Sequence, residues 1–208
     1  EALYMKAPGS SYYSNVGTST TVSSTATNGL YYFYAKDKAG NTSSTYYLYL
    51  DTSKPTGTIK NSSGTAISGY TNGAFSYTAT DTGSGVSYLQ YKKPGSSSWL
   101  SYTSGTTIAS TATNGQYQFR AVDKAGNVSD TQTIYLDSAA PTGTIKNSRG
   151  TAISGYTGGA FSYTATDTGS GVSYLQYKMP GSSSWTTYSS GTTISASATN
   201  GLYQFRAV

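Results

Sequence analysis

Five aspartates set the chemistry this chain can be expected to do. They are Asp51 in "YLDTSKP", Asp81 in "TATDTGSGV", Asp123 in "RAVDKAGN", Asp137 in "YLDSAAP" and Asp167 in a second "TATDTGSGV". Carboxylate oxygens are hard donors, and three of them meeting at one point suit Ca²⁺, which prefers oxygen ligands and tolerates irregular geometry. The order of the segments predicts that Asp81 and Asp123 lie in loops at one end of a folded module, facing the preceding linker and its Asp51. Asp137 and Asp167 offer two carboxylates to the next joint, whose third partner would fall beyond Val208. Each aspartate also has a simpler role, as the cap of its own turn through the backbone amides that follow it.

A second chemistry resides in aromatic surface. The 22 tyrosines mostly fall on the inward positions of alternating strands, yet Tyr47, Tyr49 and Tyr135 fall on the outward face of one strand type, and Tyr88 and Tyr174 on that of another. Such rings suit a glycan or a host surface protein as partner.

Composition excludes much else. The chain has no histidine, no cysteine and only eight acidic residues, so most general-base and nucleophile constellations cannot be assembled, and no serine or threonine has an evident activating base. We therefore expect no enzyme and no cofactor beyond calcium. Disulfides and thiolate metal sites are absent as well. No Walker, Rossmann or zinc spacing occurs, and glycine-rich runs such as "SGYTGGAF" precede a strand and lack the helix a phosphate cradle needs. The net charge of +5 comes from lysines and arginines placed singly or as the pair Lys92-Lys93, without a basic stripe, so no nucleic-acid partner is expected. No apolar run approaches the roughly 18 to 20 residues of a membrane-spanning helix. The N-terminus "EALYMKAPGS" is not a signal peptide, and the lack of an initial methionine reads as an internal fragment.

The elements that position these residues are repeated. "PTGTIKN" opens at Pro55 and again at Pro141, a period of roughly 86 residues, and about 58 of the 68 comparable positions are identical. "KAPGSS" at Lys6 answers "KKPGSS" at Lys92, and "TATNG" at Thr25 answers "TATNG" at Thr111. Three copies follow: a partial repeat over 1–54 without its opening strands, a complete one over 55–140, and a partial one over 141–208 without its closing strand.

Within the complete copy, "AFSYTATD" alternates Phe75, Tyr77 and Ala79 against serine and threonine, the period-2 signature of a strand with one buried face. The same pattern predicts burial of Leu89 and Tyr91, of Tyr117, Phe119 and Ala121, and of Ile134 and Leu136. About seven short strands per copy, separated by Gly, Ser, Asn and Asp clusters and without helical periodicity, predict an all-β chain of tandem antiparallel β-sandwiches. The few residues of "YLDTSKPTGT" between copies leave little slack.

The succession "SGVSYLQYK", "SSWLSY", "GQYQFRAVDKAGNVS" and "YLDSAAPTGT" resembles the bacterial immunoglobulin-like repeats, related in shape to fibronectin type III, of Gram-positive surface proteins and adhesins. The resemblance implies immunoglobulin-like sandwiches and an exported, extracellular location at the cell surface or wall. It implies a non-catalytic stalk or spacer whose neighbours are further modules of the same kind. An adhesive module or an accessory module of a secreted carbohydrate-active enzyme is the alternative. It casts Tyr117 as the tyrosine of a tyrosine corner, with Trp99 and Tyr102 packed between the sheets, and Tyr13 and Val16 in their place in the first copy. Since sandwich modules of Gram-positive pilins sometimes carry Lys-Asn crosslinks, Lys60 and Asn127 are candidates by type, though no acidic residue to promote the bond is evident.

The turn "DKAGN" is predicted to place Gly126 in a left-handed conformation. Gly126→Val should then destabilise the fold by about 1 kcal/mol or more. An unchanged melting temperature would contradict that turn geometry.

Overall fold

The computed structural model describes residues 1–208, and its regular elements are all strands. Residues 1–54 form β1 (Ala2–Lys6), β2 (Ser14–Asn15), β3 (Gly29–Lys36) and β4 (Tyr46–Leu50), one sheet ordered β2-β1-β3-β4. Residues 55–140 form β5 (Thr56–Asn61), β6 (Gly69–Thr71), β7 (Phe75–Thr80), β8 (Val86–Lys92), β9 (Leu100–Tyr102), β10 (Gly115–Asp123) and β11 (Gln132–Leu136). Of these, β5 pairs with β7, and the others are ordered β6-β11-β10-β8-β9. Residues 141–208 form β12 (Thr142–Asn147), β13 (Phe161–Thr166), β14 (Leu175–Lys178), β15 (Thr186–Tyr188) and β16 (Gln204–Ala207), arranged as β12-β13 and β15-β14-β16. The pairing is antiparallel in β1–β3, β5–β7, β8–β10 and β12–β13 alike. The chain divides into two compact units. One is Glu1–Gly69 with Gly73–Ala109 and Gln116–Ile134, and the other is Tyr70–Asn72 with Ser110–Gly115 and Tyr135–Val208.

In the first unit the core is aromatic. Alternation points Phe75 and Tyr77 of β7 at Tyr117 and Phe119 of β10, and all four are buried. Phe119 is the hub: its ring lies 5.0 Å from Tyr77 and 6.1 Å from Tyr91 in stacked pairs, and 5.2 Å from Tyr102 edge-on. Phe75 closes the cluster at 6.2 Å from Phe119 and 5.4 Å from Tyr117. Stacked and edge-to-face pairs of this kind each contribute about 0.5–1.5 kcal/mol beyond the area they bury. The second unit builds the same hub on Phe205, 5.0 Å from Tyr163 and 5.3 Å from Tyr188.

Buried tyrosines in such a core need partners for their hydroxyls. The Tyr102 hydroxyl donates to the Thr106 carbonyl and accepts from the Tyr77 N–H at 2.9 Å. Tyr188 does the same with Thr192 and with the Tyr163 N–H at 3.0 Å. The hydroxyls of Tyr31 and Tyr203 donate to the carbonyls of Thr27 and Thr199, four residues upstream, at 2.9 and 3.0 Å. That is the bond of a tyrosine corner, and both residues occupy the repeat position of Tyr117.

Trp99 departs from its expected place. It is only partly buried and lies outside the core, while Tyr102 is inside. The reason is parity: Tyr102 pairs with the buried Leu89, and a residue three positions earlier on an extended chain points to the opposite face.

Gly57 faces the Tyr77 ring so closely that a Cβ there would run into the phenol, and Gly143 stands in the same relation to Tyr163. Gly158, by contrast, has open space around it. Gly57→Ala should destabilise the chain by about 1–3 kcal/mol through overpacking, whereas Gly158→Ala should leave the urea midpoint unchanged. Equal midpoints for both variants would show that the strand relaxes around the added methyl.

Candidate metal centre

The antiparallel register of β5 with β7, Thr56 opposite Thr80, places the linker before β5 beside the loop that follows β7. The register of β10 with β8 brings Asp123 opposite Val86, across an irregularity after Val122, so that the end of β10 reaches the same loop. Three chain segments therefore converge, and each contributes a carboxylate. Ligand oxygens of Asp51, Asp81 and Asp123 all lie within 4.8 Å of one another. Ca²⁺–oxygen distances of about 2.3–2.6 Å allow oxygens this far apart to share a single ion. Asp51, Asp81 and Asp123 meet in the first unit, and Asp137 lies within hydrogen-bonding reach of Asp167 in the second.

Each carboxylate is held by its surroundings. Asp51, 6% exposed, accepts from the Ser84 N–H at 2.6 Å and from the Ser53 N–H at 3.0 Å. Its carboxyl is held below the ordinary aspartate value chiefly by the Ser84 hydroxyl, then by the Ser84 N–H, against the opposing effect of burial. Asp81 Oδ2 accepts from the N–H groups of Gly83 and Gly85 at 3.0 and 2.8 Å. Its Oδ1 is sealed from solvent without a hydrogen-bond partner. Asp123, 2% exposed, accepts from the backbone and side-chain amides of Asn127, both at 2.8 Å. The capping role is thus real for Asp81 and Asp123, and it leaves Asp81 Oδ1 unspent.

Gly83 explains how close the approach is. A Cβ at this position would collide with the Asp51 carboxylate, and at Gly169 with that of Asp137. In the second unit Asp137 accepts from the Ser170 N–H at 2.5 Å, and Asp167 Oδ2 from those of Gly169 and Gly171 at 2.9 and 2.8 Å. Asp167 Oδ1 is again buried and without a partner. The Asp137 carboxyl is lowered first by the Ser170 N–H.

Sequence reasoning missed the residues that clamp the linker. Asn28 Oδ1 accepts from the Thr52 N–H at 3.2 Å and its hydroxyl at 3.0 Å, while Nδ2 donates to Ser53 Oγ at 2.9 Å. Asn114 repeats this with the N–H and hydroxyl of Ser138, at 3.1 and 3.0 Å. The signal was present: the asparagine of "TNG" stands 23 residues before the linker aspartate in both copies. Asn127 Nδ2 also donates to the Asp51 carbonyl at 3.0 Å. This argues against the crosslink candidate, because Lys60 sits at the far end of β5, opposite Ser76, and the Asn127 amide is engaged at this joint.

The tyrosine candidates are surface residues. Tyr47, Tyr49, Tyr88, Tyr135 and Tyr174 are all exposed, Tyr47 to 72%. Tyr47 lies 6.3 Å from Tyr32, and Tyr135 lies 5.2 Å from Tyr70. The structure distributes them over β4, β8 and β11 and the segment before β14 rather than gathering them into one platform.

A depressed carboxyl stabilises the folded state above the unfolded value of roughly 4, and that stability is lost as pH falls through the lower folded value. Acidification from roughly pH 5 to pH 3 should therefore lower the melting temperature less in Asp51→Asn than in the parent chain. Parallel pH curves would remove Asp51 from the acid response.

No protein family matches the chain, and no curated protein does. Among solved structures the chain is similar to one described as "Crystal structure of tetra-tandem repeat in extending region of large adhesion protein", at 18% identity and a TM-score of 0.30. That similarity covers 99% of this chain and 57% of the other, so the chain spans just over half of its length.

Proposed function

We propose that the chain is a non-catalytic spacer: tandem immunoglobulin-like sandwiches of an exported bacterial surface protein, of the adhesin kind, with calcium stiffening the joint between repeats. The observation that carries this reading is the convergence of Asp51, Asp81 and Asp123 from a linker and two loops. Three oxygen donors, one of them buried and unpartnered, suit a hard dication, and extracellular modules work with calcium affinities of roughly 10⁻⁴–10⁻³ M. The ion would tie the linker that ends the first repeat to the turns of the second. Asp137 and Asp167 supply two ligands of an equivalent joint.

The exposed run Tyr46–Tyr49, with Leu48 70% exposed, favours a second reading in which the first repeat contacts a glycan or protein. A spacer and a contact surface are compatible in one chain.

Calcium at about a hundredfold excess over its dissociation constant should stabilise the chain by about 2.7 kcal/mol. The melting temperature should rise with Ca²⁺ and fall back with chelator, and proteolysis at the Asp51–Pro55 linker should slow in parallel. Asp81→Asn, which keeps an acceptor for Gly83 and Gly85, should abolish the calcium response while folding normally. Identical melting curves in calcium and chelator would sink the metal reading.

A further inference from the structure

Lys92 and Arg120 are distant in sequence, and the structure brings them to one aromatic ring. The register of β8 with β10 sets Gln118 opposite Lys92 and Arg120 opposite Gln90, which puts both cations on the outward face. Trp99, displaced from the core by its parity, lies on this face. Lys92 Nζ stands 4.9 Å and the Arg120 guanidinium carbon 4.2 Å from the ring centroid. Arg120 Nε donates to Gln90 Oε1 at 2.9 Å. The second unit builds the set again, with Lys178 at 4.9 Å and Arg206 at 4.3 Å from Trp185. There Arg206 Nε and Nη2 donate to Gln176 Oε1 at 2.8 and 2.6 Å.

The face holds no negative charge. Strands β8, β9 and β10 contain one carboxylate, Asp123, which is buried at the joint. Strands β14, β15 and β16 contain none. An arginine stacked on indole and fixed at one edge by glutamine is pre-oriented, and its remaining N–H groups match a carboxylate or sulfate in the forked geometry that lysine cannot offer. Tyr88 is exposed on the same strand face as Gln90, two residues and roughly 7 Å away, and Tyr174 keeps the same spacing from Gln176. An exposed phenol on the face that carries the fixed guanidinium offers stacking for a sugar ring, and the guanidinium offers a partner for the acid that sugar carries. In the first copy Tyr34 stands where arginine stands in the others, stacked on Tyr4 at 4.9 Å, so that copy lacks the fork.

We propose that each Trp–Arg–Lys set is a binding site for an anionic polysaccharide, with Arg120 and Lys92, or Arg206 and Lys178, holding a uronate carboxylate or a sulfate ester and Tyr88 or Tyr174 stacking on the ring. The site is separate from the calcium joint and does not depend on the spacer reading. Each of the two units carries one such site.

Binding of the full chain to heparin, polygalacturonate and neutral dextran, measured in about 0.15 M salt where weak surface attraction is screened, tests this. The chain should bind at least one polyanion and not dextran, and binding to polygalacturonate, whose anions are carboxylates alone, would show that sulfate is not required. Arg120→Gln with Arg206→Gln should weaken binding by about tenfold or more, and the charge-matched change of the exposed turn residues Lys38→Gln with Arg149→Gln by no more than about twofold. Tyr88→Ser with Tyr174→Ser alters exposed rings only and should also weaken binding. Arg120→Lys with Arg206→Lys keeps the charge and should still lose affinity if the fork matters. Equal losses in the charge-matched pairs, or no binding of the parent chain to either polyanion, would overturn the proposal.

Discussion

The first unit depends on the enclosure of Phe119 by Tyr77, Tyr91, Tyr102 and Phe75, and the second on the same enclosure of Phe205. With no cysteine to staple the layers and few large aliphatic residues on the inner faces, aromatic contact sets how the two sheets meet. Stacking Tyr77 on Phe119 fixes β7 against β10, so that one strand ends at Thr80 and the other at Asp123 on the same edge. The acidic joint is a by-product of that alignment. The outward positions of the same strands are fixed by the same pleat, which is why the cation–aromatic set on Trp99 appears wherever Lys92, Trp99 and Arg120 have counterparts.

Period-2 alternation made the inner faces legible. Phe75, Tyr77, Leu89, Phe119, Ile134 and Leu136 were read from it and are buried, because a half-buried strand leaves a mark in every second residue. The aspartates of the joint were legible too, as turn residues whose loops share one end. The clamp by Asn28 and Asn114 was not, because a side chain reaching across 23 residues leaves no periodic trace. Trp99 was misplaced because a resemblance supplies a residue's usual role without its local parity. Lys92 and Arg120 looked scattered for a similar reason: strand register, not sequence spacing, decides which charges are neighbours.

The near-identity of the second and third copies gives each local solution an internal control. Gly57 beneath Tyr77 recurs as Gly143 beneath Tyr163, and Gly83 against Asp51 as Gly169 against Asp137. A glycine required twice for the same close approach reflects geometry, whereas Asn72 in one copy where the next has Gly158 reflects tolerance. The Tyr102 bonds and their Tyr188 counterparts follow the same rule.

The linker of the first unit has a mechanical meaning. Asp51 is bonded to Ser84, Thr52 and Ser53 to Asn28, and Lys54 to Asp130 through an exposed ion pair at 3.1 Å, while Pro55 is buried. Tension entering along the backbone would meet these ties side by side rather than one after another. The segment that ordinarily yields first between repeats would share the pull with the turns of β7 and β10, and the weak point of the chain would shift into the sheets.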